Sequence, residues 1–115
     1  KLPYQYLQVS RHAQRNLLNH LQIYVHVDTE DEWMFFKHHF EEVHPDFFKK
    51  LCSIHPNLSE NELRLCAYVR TGMETKQIAQ MLSVLPETIN TGRYRIRKKM
   101  QLGQDVTLEN YLRDI

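Results

Sequence analysis

Hydrophobic positions recur at helical spacing along most of the chain, with polar residues filling the gaps between them. Residues 5 to 20 fit a helix, with Leu7, Leu17, Leu18 and Leu21 close to that spacing. The next stretch, LQIYVHV, alternates apolar and polar residues as a strand would, so residues 21 to 27 stay open between the two. A clearer helix starts near Asp28 or Thr29, either of which can cap it. Glu30, Asp31 and Glu32 then fall in its first turn, where the helix dipole favours acid. Trp33, Phe36, Phe40 and Val43 mark its apolar face. Pro45 can occupy the first turn of a following helix, DFFKKLCSI, in which Phe47, Phe48, Leu51 and Ile54 are apolar, and Pro56 ends it. This aromatic-rich pair needs a surface to bury against, and the module that follows supplies the nearest one.

The punctuation becomes sharper after residue 58. Ser59 caps a helix, and the sequence SENE places Glu62 three residues on, the reciprocal capping-box arrangement. Leu63, Cys66, Ala67 and Arg70 continue it, with Leu65 and Val69 beside them, until Gly72 supplies a helix-ending residue. ETKQIAQML predicts a short second helix with Ile78, Ala79 and Leu82 inward, and SVLP predicts a turn. Pro86 then opens a long third helix, PETINTGRYRIRKKMQL, which Gly103 is expected to stop. Asp105 or Thr107 can start a terminal helix whose apolar face is Val106, Leu108, Tyr111, Leu112 and Ile115. The expected architecture is all-α: a helix-turn-helix bundle of about four helices over residues 58–115, preceded by a helical connector over residues 1–57.

Within the third helix Ile89, Ile96 and Met100 lie at i, i+7 and i+11, one stripe that packs inward. Asn90, Thr91, Tyr94, Arg97, Lys98 and Gln101 project elsewhere, a mixture of amide, hydroxyl and cation suited to base edges and phosphates. Net charge is only +1, so the distribution of charge matters more than its sum. Residues 59 to 102 carry eight Lys/Arg against four Asp/Glu, while the segments on either side are slightly acidic. Arg93, Arg95, Arg97, Lys98 and Lys99 crowd into the run RYRIRKKM. Arg93 shares the Ile89 and Ile96 side and is expected to pair with Glu62 rather than with a phosphate.

Other chemistries find little support. No stretch approaches the ~20 apolar residues of a membrane-spanning helix, and no secretory leader pattern opens the sequence. Beginning at Lys1 rather than Met fits either a processed chain or the end of a longer one. Cys52 and Cys66 are too few and too far apart for a disulfide framework, which suits a reducing, cytoplasmic setting, and Cys66 reads as core. His38, His39 and His44 lack a Cys or carboxylate at ligand spacing, and no Ser or Cys has a base partner at a diagnostic distance. Neither a metal, a cofactor nor an enzymatic activity is expected.

Residues 58 to 102 resemble the LuxR/NarL-type helix-turn-helix at the C-terminus of many bacterial transcription regulators. The likeness runs through Leu58-Ser59 and Glu62, Gly72, the KQIAQML block, Pro86-Glu-Thr-Ile and the closing Lys-Lys-Met. The preceding WMFFKHHFEEVHPDFFKKL resembles a variant in which this module ends a larger sensor, so that residues 1–57 would connect it to an input domain. The resemblance implies base reading by Asn90, Thr91 and Tyr94, and backbone contacts by Thr75, Lys76, Arg95, Arg97 and Lys98. It also implies a double-stranded DNA partner and a homodimer contact through the terminal helix. The chain departs from the family in carrying Glu74 and Leu85 where Ser or Thr is usual, which leaves two helices without an expected cap. It also has Asn90 and Gly92 where Lys and His are usual. Asn is a good adenine reader, and Gly92 suggests that another backbone approaches the reading helix.

Two functions follow. The first is a sequence-specific DNA-binding transcription regulator, acting as a signalling output domain; a polymerase sigma-like helix-turn-helix is a lesser variant of it. The alternative is a protein–protein interaction or dimerisation module that uses the helix-turn-helix as a scaffold without binding DNA. Affinity for DNA that falls steeply with salt separates them.

Overall fold

The computed structural model describes residues 29–115, in which every regular element is a helix. Expectations for residues 5–28, including a cap at Asp28, lie outside the described residues. Helix α1 spans Thr29–Val43, α2 Phe47–Ile54, α3 Glu60–Arg70, α4 Thr75–Leu82, α5 Pro86–Met100 and α6 Leu108–Arg113. The all-α expectation therefore holds for this part of the chain.

Two compact units divide the chain between His39 and Phe40. In the described part of the first, Trp33 and Phe36 are buried with ring centroids 5.7 Å apart. The second, Phe40–Ile115, starts well ahead of the residue-58 boundary read from the sequence. Its extra segment is anchored by aromatic packing: Phe40 meets Phe47 edge-on at 5.1 Å and Phe48 at 5.5 Å, and Phe47 and Leu51 are buried. Val43 and Ile54, expected on the apolar faces, are exposed instead. Each is the last residue of its helix. Pro45 lies in the turn ahead of α2 rather than in its first turn.

Helix α3 is the centre of the second unit and packs against α4, α5 and α6. Its start is fixed by a complete capping box: Ser59 N–H donates to Glu62 Oε1 at 2.8 Å, and Glu62 N–H donates to Ser59 Oγ at 3.2 Å. Its end is a Schellman turn. Gly72 adopts φ +86°, Met73 N–H reaches back to the Tyr68 carbonyl and Gly72 N–H to that of Val69. Five consecutive residues, Leu65 to Val69, are buried. Burial pushes the Cys66 thiol up to about 12, with the Glu62 charge adding to the effect.

The same closing device recurs without glycine. Ser83 and Gln101 take left-handed φ values of 57° and 58°, with Val84 N–H bonded to the Ala79 carbonyl and Leu102 N–H to that of Arg97. Thus α5 ends at Met100 with Gln101 as its C-cap, ahead of the Gly103 expected to stop it. In α4 the buried residues are Ile78, Ala79 and Met81, with Leu82 only half-buried. Leu108 and Leu112 carry α6 into the core, and Thr107 caps it by accepting the Asn110 N–H at 3.1 Å.

Candidate nucleic-acid interface

Helix α5 is joined to α4 by only three residues, Ser83 to Leu85, and packs against both α4 and α3. Pro86 at its first position presets the helical φ. Ile89, Ile96 and Met100 are buried, so the expected stripe faces inward. The side opposite is open: Asn90, Thr91, Tyr94 and Lys98 are all exposed, Tyr94 at 63%. Lys98 Nζ stands 5.7 Å from the Tyr94 ring centroid, within cation–π range, so these two side chains form one surface feature. Arg95 and Lys76 are exposed as well, and Thr75, the first residue of α4, is half-buried.

The basic run divides sharply. Arg93 pairs with Glu109 of α6 at 2.6 Å, not with Glu62 as the sequence led us to expect. Glu62 is taken by Lys99, 2.7 Å away, which also donates to the Asn57 carbonyl at 3.2 Å. Burial alone would raise the Glu62 carboxyl, but hydrogen bonds from Lys99 and Ser59 outweigh it and hold it below its ordinary value. Glu109 behaves alike: its partial burial is outweighed by its own backbone N–H and by Arg93 and Arg97.

Arg97, expected to serve the DNA backbone, donates from Nη1 to the Val106 carbonyl and from Nη2 to the Gly103 carbonyl, the latter at 2.8 Å. It is half-buried and holds the loop between α5 and α6. Three of the five clustered cations therefore tie the domain together, leaving Arg95 and Lys98 outward. Sequence reasoning could have found part of this, because Lys99 follows Ile96 by three residues and so borders the inner stripe.

Two features of α4 and α5 also differ from expectation. Glu74 N–H donates to Gln77 Oε1 at 3.0 Å, so the start of α4 keeps a capping contact despite lacking Ser or Thr. The start of α5 has no side-chain cap, and Leu85 there is 66% exposed. At Gly92 the close neighbour is a side chain, not a backbone: a Cβ would sit 2.9 Å from Leu65 Cδ2.

Four helices with a short-turned pair leading into an exposed, partly cationic helix define a helix-turn-helix domain. Residues 56–112 match the model of the luxR family of bacterial regulatory proteins, and this segment is a helix-turn-helix domain of that family. Over 52 residues the chain is 35% identical to the response regulator UvrY of Escherichia coli K12 and, at the same identity, to those of Shigella flexneri and Escherichia coli O157:H7. The match covers 45% of this chain and 24% of each of those proteins, so the chain spans about a quarter of the length of the curated relatives it matches. No solved structure gives a significant match. Among the described residues no helix is long and apolar enough to cross a membrane.

Proposed function

We propose that this domain is a sequence-specific DNA-binding transcription regulator that lays α5 in the major groove. The observation that carries the reading is the exposed surface of Asn90, Thr91, Tyr94 and Lys98, which faces away from the buried Ile89, Ile96 and Met100. An amide, a hydroxyl and a phenol can meet base edges, Asn90 matching the adenine N6/N7 pair. Lys76, Arg95 and Lys98 neutralise phosphates, while Thr75 offers its hydroxyl at the start of α4. Arg97 acts indirectly, by fixing the loop that leads to α6. No cofactor takes part, and no reaction is catalysed.

One reading helix spans too few base pairs for useful specificity, so the domain acts as a homodimer on paired half-sites, with α6 the contact between copies. By likeness to the response regulators, its output is governed by a sensing domain, in the cytoplasm. Binding to duplex DNA across a salt series tests the reading. Three phosphate-facing cations per copy predict a log–log slope of about −3 for each domain bound. Absence of binding to every duplex at low salt would leave the interaction-module reading in its place.

A further inference from the structure

The outward side of α5 also carries an acidic residue. Glu87 lies in the first turn of the helix and is exposed. Each helical residue advances about 100°, so Glu87 falls within about 20° of Tyr94 and, viewed down the axis, between Asn90 and Thr91. It stands about 4.5 Å from Asn90 along the axis, on the order of the 3.4 Å step between bases. Among the described residues no hydrogen bond or ion pair engages its carboxylate.

A carboxylate on a face that meets DNA is repelled by phosphates, and it accepts hydrogen bonds without donating any. In the major groove only the cytosine N4 and adenine N6 amino groups can donate to it. Adenine also presents the N7 lone pair beside its amino group, which opposes the second carboxylate oxygen. Cytosine has no such neighbour on its own ring, and Glu or Asp accepting from its N4 amino group is the matching contact.

We infer that Glu87 is a specificity-determining residue that reads a cytosine at the base pair next to the one met by Asn90. The inference rests on the DNA-reading proposal and deepens it. The helix dipole also favours acid in a first turn, so a purely local role is the outcome to be separated.

The test selects bound sequences from random duplexes with the 115-residue chain, Glu87→Gln and Glu87→Ala, with thermal melting to confirm folding of each. The unsubstituted chain is expected to enrich one C·G pair by roughly five-fold or more over other bases at that position. Glu87→Ala should lose that preference while retaining those next to it. Glu87→Gln, whose amide matches adenine N6/N7, should move the preference towards A·T. Identical preferences in all three proteins would overturn the inference, as would a uniform gain in affinity for every duplex on charge removal. No binding by any of the three at low salt would overturn the DNA-reading proposal and this inference with it.

Discussion

Helices α3 and α5 pack against each other yet are built on opposite plans. Five successive buried residues in α3, Leu65 to Val69, cover more than a full turn, so that stretch of the helix has no side left for a partner. Helix α5 buries only Ile89, Ile96 and Met100. The difference teaches where function can reside. A helix enclosed on all sides supplies rigidity, while one held by a single stripe can present its other side to a long, charged ligand without losing its seat.

The largest expected effect tests the inner stripe. Ile96 is fully buried, and Ile96→Ala should lower stability by about 2–5 kcal/mol through lost contacts and a residual cavity. Thermal melting reads this, and a loss below ~1 kcal/mol would mean that α5 is not seated as described. Tyr94→Ala on the outer side should instead leave stability within about 0.5 kcal/mol. Its effect should appear as roughly 1–3 kcal/mol less discrimination at one base pair. Equal weakening for all sequences would assign Tyr94 to the phosphates.

Smaller effects sharpen the contrast at the helix ends. Helix α3 begins with a full capping box, whereas Leu85 leaves α5 uncapped although its φ of −76° and ψ of 150° suit a capping residue. Leu85→Ser should therefore raise stability by about 1 kcal/mol in the same melting experiment. A drop would show that the exposed leucine makes a contact worth more than the cap.

Acid should act through Glu62, which joins the two helices by way of Lys99. Its folded pKa is depressed, so its contribution is present above the ordinary carboxylate range and is lost as pH falls through and below about 4. His55 adds in the same direction at milder pH. Burial lowers its pKa, so stability contributed there is full above about 6.5 and declines as pH falls below that value. Glu62→Gln should flatten the acid limb of a stability–pH curve near pH 4 and leave the decline below pH 6.5 in place.

Local devices were legible in the sequence because they act within one turn of helix. Ser59 with Glu62, Gly72 after α3, Pro86 at the start of α5 and the Ile89–Ile96 spacing all stand where the sequence put them. Partnerships across the fold were not legible. Arg93 finds Glu109 sixteen positions away and Lys99 finds Glu62 thirty-seven away, distances at which spacing carries no information. A guanidinium serves carbonyls and phosphates alike, and the contacts of Arg97 to the Val106 and Gly103 carbonyls follow from the path of the α5–α6 loop, which spacing does not show. The candidate site was thus readable as a surface, but the assignment of its cations was not.

The near-contact between Gly92 and Leu65 reaches beyond this one molecule. A single methyl at position 92 would meet the tip of Leu65 at 2.9 Å, so the buried Leu65 side chain has to shift to admit it, and the two positions are coupled. A different reading helix transplanted into this framework is expected to seat better when residue 65 is changed with it. Among relatives with a bulkier residue at 92, a smaller or differently angled one should stand at 65, so that the two positions drift through evolution as a pair.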